Sequence, residues 1–527
     1  MYTGTRTMGA VLERNSLYHP DVEALIFEDR RLTHRQLHDR ASRLASSIHN
    51  LGLKRQDRVS VLSANNGEVL EIYFACYVAG FIATPVNFRL AVPEMQYILT
   101  DAAPKILFFE AQYTETADAL RRQLPDIEHY VRIGGGAGDP LPSWALDFES
   151  VLQSGAEAGP PIRSTENDYA HLLYTSGTTG KPKGVVHTHR AVCNYAATGA
   201  LITDLNGASR VLQATPLFHV GGIIYPYAVW WMGGTTVLLR AFDPLKVLQT
   251  IEKERITYTF MVAAMIQGVL SVPGVEKFDV SSMKRIVSAA APIPVPLLKE
   301  AIKLLGPIFS IQYGATEFGN GYNLPVHMVR PDGTADDIRR LASVGHVAPG
   351  IGVRLVDDHD NDVKQGETGE VLFKTDGIMA GYWNNHPATI EAVRDGWYHS
   401  GDLGYMDKDG FLFLVDRKKD MIISGGENIY SREVEEAVHQ HPAVAESAVI
   451  GVPDPKWVEA VKVFVVLKPG ARLTAEELIE HCRTLIARYK CPRDVEFIAE
   501  LPRIASGKIN KVALRDMEKS KESGKAA

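Results

Sequence analysis

Along this chain the apolar positions recur with two different periods. After Thr33, with Gln36 three residues on, Leu37, Ala41, Leu44, Ala45 and Ile48 return at helical spacing, which predicts a helix over 31–51 opened by a capping box. Arg58-Val59-Ser60-Val61-Leu62 reads as a strand, 68–79 as a second helix, Thr84-Pro85-Val86-Asn87 as a loop, and Ile106-Leu107-Phe108-Phe109 as a further strand. His171-Leu172-Leu173, Arg285-Ile286-Val287 and Phe309-Ser310-Ile311 continue the series of short buried strands. Strand and helix in alternation predict an α/β fold with parallel sheets. The glycine-rich 134–140 stretch reads as a surface connection, and from there to Asp168 there is little pattern.

Beyond about residue 420 a second, smaller α/β unit is expected. Residues 431–440 have helical spacing, 444–452 and 461–466 are strand-like, and Thr474 with Glu477 caps a helix whose Leu478, Cys482, Leu485 and Ile486 share one face, which places Cys482 in core. Between the two units lies the charge run Asp416-Arg417-Lys418-Lys419-Asp420, readable either as solvated surface or as an interdomain linker. At 527 residues the chain is too long for one hydrophobic core. The expected architecture is a large N-terminal domain of layered mixed sheets and helices, 1–418, and a small α/β C-terminal domain, 419–527.

Composition narrows the class. Hydrophobic residues make up 45% and charged residues 23%, with a net charge of -7, which is ordinary for a soluble globular protein and offers no surface for nucleic acid. The N-terminus has no basic segment followed by an apolar run, so no secretion signal is expected. Cys76, Cys193, Cys482 and Cys491 lack metal-ligand spacing, which fits structural cysteines in a reduced cytoplasm. Between Arg210 and Arg240 there is no charged residue, but Pro216, Pro226, Gly221-Gly222 and Gly233-Gly234 break the stretch into short pieces, so buried interior is expected and not a membrane span.

The candidate chemistry centres on Tyr174-Thr175-Ser176-Gly177-Thr178-Thr179-Gly180-Lys181-Pro182-Lys183-Gly184. Glycines free backbone N–H groups to converge on an anion, hydroxyls add donors, and lysine supplies positive charge, so the composition is that of a phosphate-handling loop; a plain surface turn is the bland alternative. It is not the GxxxxGK[ST] loop, since no Ser or Thr follows Lys183. Two further segments, Ser288-Ala289-Ala290-Ala291-Pro292 and Gln312-Tyr313-Gly314-Ala315-Thr316-Glu317, read as small-residue turns at the carboxyl ends of strands, where open α/β sheets place ligands.

The loop resembles the signature of the adenylate-forming superfamily, which holds acyl- and aryl-CoA synthetases, luciferases and peptide-synthetase adenylation domains. The resemblance runs from about residue 10 to residue 515, with Gly366-Glu367-Thr368-Gly369-Glu370, Gly381-Tyr382-Trp383, Gly401-Asp402-Leu403-Gly404 and Ser506-Gly507-Lys508 in the family's order. It implies ATP, Mg²⁺ and CoA as cofactors, a mobile C-terminal domain, and a role for each matching residue. Thr175, Ser176, Gly177, Thr178, Thr179 and Lys183 would hold the phosphates, and Ala290, Ala291 and Pro292 would contact adenine. Gln312, Tyr313 and Gly314 would line the base, with Tyr313 stacked on it. Thr316 would touch the α-phosphate, and Thr175 and Glu317 would hold the metal. Asp402 would bind the ribose, Arg417 would reach ribose or phosphate, and Lys419 would be the pivot. Gly425, Gly426 and Glu427 would line the thiol tunnel, and Lys508 would be the adenylation lysine. This sequence departs from the family with Ala289-Ala290 where Gly is common, with Gln312 where Gly often precedes the tyrosine, and with Ser431 where many members carry Pro.

His219, in Pro216-Leu217-Phe218-His219-Val220, is either a satisfied structural histidine or a working residue near the acyl pocket. Trp230, Trp231 and Met232 either line that pocket or form core, with core expected for at least one tryptophan. The implied reaction joins a carboxylic acid to CoA through an acyl-adenylate, with a medium- or long-chain fatty acid expected. Aryl or phenylpropenoyl acids and a free carrier-protein acceptor are the alternatives, a silent nucleotide- or acyl-binding protein the remote one. Monomer or homodimer, and peripheral contact with a membrane, both stay open.

Overall fold

The computed structural model describes residues 5–136, 138–175, 182–289, 293–424, 427–454, 457–503 and 508–525. The chain forms a mixed α/β protein that divides into two compact units. One comprises the residues up to Thr175 with 182–353 and 373–398; the other comprises 354–372 and the chain from His399 on.

The first unit is built on two large sheets. In one, eight strands follow the order Gly381–Tyr382, Lys183–Thr188, Tyr169–Thr175, Ile82–Val86, Arg58–Leu62, Ile106–Glu110, His129–Ile133, Leu146–Asp147. The inner strands are parallel and covered on both faces, which is why they are continuous apolar runs: Ile106, Leu107, Phe108 and Phe109 are all fully buried. The other sheet has nine strands, with Arg210–Gln213, Tyr258–Phe260, Arg285–Ser288 and Phe309–Ala315 parallel in its middle and antiparallel strands at its edges.

The expected capping box is present: Thr33 and Gln36 exchange both hydrogen bonds at the start of His34–Asn50. Helix Gly67–Ala79 is buried all round, and its one inward carboxylate, Glu71, is clamped by Arg30 at 2.5 Å and Arg40 at 2.7 Å. The uncharged 210–240 stretch becomes the strand Arg210–Gln213, the helix Val220–Trp231 and the strand Thr235–Leu238. Among the described residues no helix is long and apolar enough to cross a membrane. Trp230 is core, Trp231 is half-buried against Arg14, and Met232 is exposed at the helix end. All four cysteines are buried and free.

Two expected turns are strands. Thr84-Pro85-Val86 continues Ile82–Val86, with Pro85 opposite Val61. The pairing with the strand on its other side is confined to Ala83 and His171, so the missing N–H of Pro85 interrupts no regular ladder there. Gln312-Tyr313-Gly314-Ala315 belongs to Phe309–Ala315, because antiparallel pairing with Gly319–Leu324 carries the strand, through a bulge at Tyr313/Gly314, as far as Ala315 opposite Gly319.

Behind the Tyr169–Thr175 and Lys183–Thr188 hairpin, His171 and His187 face each other across the strands with their rings hydrogen-bonded at 3.1 Å; Tyr195 and Tyr77 extend the network from His171. Burial pushes His187 and His189 down to about 4, and His171 well below its ordinary value. The unfolded chain therefore takes up protons below about pH 6.5 that the folded chain refuses, so stability rises with pH through the window from about 4 to 6.5. We predict that the unfolding free energy falls on acidification across that window, approaching about 1.4 kcal/mol per pH unit for each such histidine. Urea denaturation at a series of pH values checks it; a flat profile above pH 5 would contradict it.

In the second unit, Leu412–Arg417 pairs antiparallel with Trp397–Met406, so Asp416 and Arg417 of the charge run are strand residues and only 418–421 form a connection to Ile422–Ser424. The chain from there builds a five-stranded sheet around the long Val444–Asp454 and Val458–Leu467 pair. Helices Ser431–His439 and Ala475–Leu485 cover it, and Cys482 lies in that core as expected. Thr474 and Glu477 form the second expected capping box. Asp416 accepts hydrogen bonds from the backbone N–H and the hydroxyl of Ser431 at the start of the first of these helices.

Candidate active site

In the first unit the ends of the hairpin strands define the mouth of the candidate phosphate loop. Thr175 closes one strand and Lys183 opens the other, directly opposite, with the Thr175 hydroxyl 3.4 Å from the Lys183 carbonyl. Ser176, Gly177, Thr178 and Thr179 lie outside the described residues.

The corner after Phe309–Ala315 approaches this mouth. Gly314 is obligatory there, since a Cβ would lie 2.0 Å from the backbone oxygen of Gly319. The next turn carries Thr316, buried, and Glu317, half-buried. Tyr382 joins the two halves: its hydroxyl donates to Glu317 Oε1 at 3.2 Å, and Lys183 Nζ lies 5.1 Å from its ring centroid. The backbone repeats the link, with Met379 N–H donating to the Glu317 carbonyl at 2.7 Å and Ala380 N–H to Val186 at 2.8 Å. Tyr382 thus brings the ammonium of Lys183, the residue paired with Thr175, and the Glu317 carboxylate to one place, a cation and a hard carboxylate of the kind that a metal-bound polyphosphate needs.

Tyr313 is half-buried on an aromatic cluster of Phe318, Tyr322 and Phe373, with ring centroids 5.9 to 6.4 Å away, which leaves it a flat, supported platform. Gln312 is turned inward, its Oε1 accepting from Tyr225 at 3.2 Å. His219 caps the Val220–Trp231 helix, its Nδ1 accepting from Gly221 N–H at 3.1 Å. Ala290, Ala291 and Pro292 lie outside the described residues.

The second unit carries the other candidates. Asp402 is buried on Trp397–Met406, directly across from Arg417, whose Nε lies 2.6 Å from Asp402 Oδ1. The turn before it is pinned by Ser400 Oγ to Val371 at 2.6 Å and Gly401 N–H to Glu370 at 3.1 Å. Lys419 and Glu427 are exposed, the latter in Glu427–Ile429; Gly425 and Gly426 are outside the described residues. Lys508 is exposed beside the isolated Arg503–Ile509 bridge. Among the described residues no group of three or more His, Cys, Asp or Glu could hold a metal.

Residues 12–383 match the model of the AMP-binding enzyme family, and 433–508 that of the AMP-binding enzyme C-terminal domain. The chain belongs to the AMP-binding enzyme family. It is 36% identical over 511 residues to a feruloyl-CoA synthase of an Amycolatopsis species, covering 96% of this chain and 98% of that one. A long-chain-fatty-acid–CoA ligase, FadD13, of Mycobacterium tuberculosis is 33% identical over 516 residues, covering 97% and 98%. The crystal structure of ATP-bound MatB from Rhodopseudomonas palustris superposes with a TM-score of 0.87 at 27% identity, covering 97% of this chain and 99% of that one. This AMP-binding enzyme is thus an acid–thiol ligase of the adenylate-forming kind, in a family whose substrates are a carboxylic acid, ATP and CoA. Tyr382, which orients the Glu317 carboxylate, was visible in the sequence only as part of Gly381-Tyr382-Trp383, with nothing local to mark its role.

Proposed function

We propose that this enzyme makes an acyl-CoA from an aromatic carboxylic acid in two steps at one site. In the first, a carboxylate oxygen of the acid attacks the α-phosphorus of ATP, forming acyl-AMP and releasing pyrophosphate. In the second, the CoA thiol, losing its proton, attacks the acyl carbonyl and AMP leaves.

The observation that carries the chemistry is the Lys183–Tyr382–Glu317 arrangement beside Thr175 and Thr316. Lys183 and Thr316 neutralise and hold phosphate oxygens as charge builds on them. Tyr313 covers the base, and Asp402 accepts from the ribose hydroxyls with Arg417 at its side. Mg²⁺ fits here: the Thr175 hydroxyl and the Glu317 carboxylate are hard oxygen donors, too few for a protein-only cage and suited to an ion that keeps phosphate and water ligands. When bound it offsets charge on the polyphosphate. Lys508 completes adenylation from the small domain. We place the functional boundary at 418/419, with Lys419 as pivot, because the Leu412–Arg417 strand ends there and a new sheet starts at Ile422. A swing about this point would exchange Lys508 for the 425–427 segment when the thiol enters.

The acyl group would lie along the Val220–Trp231 helix. There Tyr225 stacks on Phe260, with ring centroids 5.1 Å apart and planes at 24°, and its hydroxyl binds Gln312. Gly221, in the first turn of that helix, lies close to the same ring: a Cβ there would meet Phe260 at 3.4 Å. An aromatic floor with a polar end suits a short, flat acid better than a long alkyl chain. The similarity to a feruloyl-CoA synthase supports the same reading. A medium- or long-chain fatty acid is the second reading, favoured by the similarity to FadD13.

CoA-thioester formation with Mg·ATP over cinnamic, arylacetic, C8, C12 and C16 acids separates them. We expect kcat/KM for the best aromatic acid to exceed that for every alkyl acid by at least about tenfold, the scale of a one-methylene misfit. The reverse order would assign the fatty acids, and pyrophosphate formed only stoichiometrically, with or without CoA, would assign a carrier-protein acceptor.

A further inference from the structure

Helix Val92–Ala102 ends beside the hairpin that carries the phosphate loop, and its last turn is used as an anchor by three other segments. Asp101 Oδ2 accepts the Tyr174 hydroxyl at 2.6 Å, a short charge-assisted bond to the residue immediately before Thr175. Asp101 Oδ1 accepts from Asn384 Nδ2 at 3.2 Å. The backbone oxygen of Asp101 accepts from Trp383 Nε1 at 3.0 Å and again from Asn384 Nδ2 at 3.1 Å. Arg58 binds the next two carbonyls, of Ala102 and Ala103, at 2.8 Å each, and lies over the Trp383 ring. One aspartate therefore joins segments 73 and 283 residues away in sequence.

What those segments carry gives the contact its meaning. Successive side chains of a strand point to opposite faces, so locking Tyr174 toward Asp101 aims Thr175 the other way, into the phosphate mouth. Gly184 keeps the space for this: a Cβ there would lie 3.1 Å from Tyr174 Cζ and 3.2 Å from Trp383 Cβ. Trp383 N–H donates to the Gly184 carbonyl at 2.7 Å, one residue after Lys183. Tyr382, directly before Trp383, holds Glu317 and sits beside Lys183.

We propose that Asp101 is a positioning residue for the nucleotide site: by holding Tyr174 on one side and Trp383-Asn384 on the other, it sets the spacing between Thr175 and the Tyr382–Glu317 pair. Asp101 touches no substrate. Its effect reaches the reaction through groups that serve Mg·ATP, and this rests on the function proposed above. Asp101 also opens onto a surface cleft of about 550 Å³ lined by Pro93, Gln96, Tyr97, Thr100 and Asn384. Water can therefore reach the groups that a substitution unpairs, so the fold survives the loss.

The test compares Asp101→Ala, Asp101→Asn and Tyr174→Phe with the unsubstituted enzyme in three assays: Mg·ATP affinity by calorimetry, acid-dependent pyrophosphate release, and thioester formation from supplied acyl-adenylate and CoA. We expect Asp101→Ala to weaken Mg·ATP binding and raise its KM about tenfold, while thioester formation changes less than twofold. Tyr174→Phe should move the same quantities the same way, and Asp101→Asn, which keeps an acceptor for the tyrosine, should recover most of the loss. The double variant Asp101→Ala with Tyr174→Phe should be no worse than Asp101→Ala alone. Unchanged Mg·ATP affinity in Asp101→Ala would overturn the inference, as would an equal fall in both half-reactions, the sign of a merely structural role. An unsubstituted enzyme that binds Mg·ATP but releases no pyrophosphate with any acid would refute the proposed reaction; the brace is then still read from the ratio of the binding constants.

Discussion

Lys508→Ala should lower acyl-adenylate formation about a thousandfold, roughly 4 kcal/mol of transition-state stabilisation, yet leave thioester formation from supplied acyl-adenylate within a few-fold of the unsubstituted enzyme. Lys508 is exposed and lies just before Ile509, which bridges back to Arg503; Asn510 N–H donates to the Pro502 carbonyl at 2.7 Å, and the Asn510 side chain accepts from Ala513 at the start of the terminal helix. These contacts hold the backbone directly after the lysine, so truncating its side chain removes a charge without disturbing that frame. A charge that matters only while the α-phosphorus is pentavalent affects one half-reaction and not the other. Rapid-quench measurement of acyl-AMP, run beside a thioester assay started from synthetic acyl-AMP, separates the two. An equal fall in both would mean that Lys508 serves the fold or the nucleotide in general.

Gly314→Ala should be as damaging but in a different pattern. The added Cβ would meet the Gly319 oxygen at 2.0 Å and Asn320 Cα at 3.2 Å, both backbone and both on the partner strand, so neither can turn aside. The corner must open, displacing Thr316 and Glu317 together and tilting the Tyr313 platform. Both half-reactions need the AMP moiety held there, so both should fall by at least about a hundredfold, with ATP binding lost in calorimetry. The small domain's sheet, built around the Val444–Asp454 and Val458–Leu467 pair, has its own core and should keep its hydrogen-exchange protection. Near-normal ATP affinity in this variant would show that the corner is not part of the nucleotide site.

These two residues also mark what could be read from the chain and what could not. Apolar runs such as Ile106 to Phe109 announce parallel strands because both faces are buried, and Thr33 with Gln36 announces a helix start because the cap is local chemistry. Gln312 to Ala315 resembled a turn, since small and polar residues have weak strand preference; only the partner strand Gly319–Leu324, invisible to a local reading, extends the ladder. Pro85 misled in the same way, because its tolerance depends on how few residues pair on its far side. The candidate site residues that the chain itself singles out are those in dense motifs: Thr175, Lys183, Thr316, Glu317 and Asp402. Tyr382 and Asp101 act across long sequence separations, and their partners lie on other segments, so no window around either could show what it holds. The inward turn of Gln312 toward Tyr225 is a side-chain direction that only the packed helix decides.

The central claim, that the acid is activated by direct attack on the α-phosphorus of ATP, is tested most directly by following a carboxylate oxygen. With ¹⁸O-labelled acid, Mg·ATP and CoA, the adenylate carries a labelled oxygen between the acyl carbon and phosphorus, and thiol attack leaves that oxygen on the nucleotide. Mass spectrometry should find one ¹⁸O in each AMP and none in pyrophosphate. Label in inorganic phosphate, with ADP as the nucleotide product, or unlabelled AMP alongside the acyl-CoA, would contradict the account.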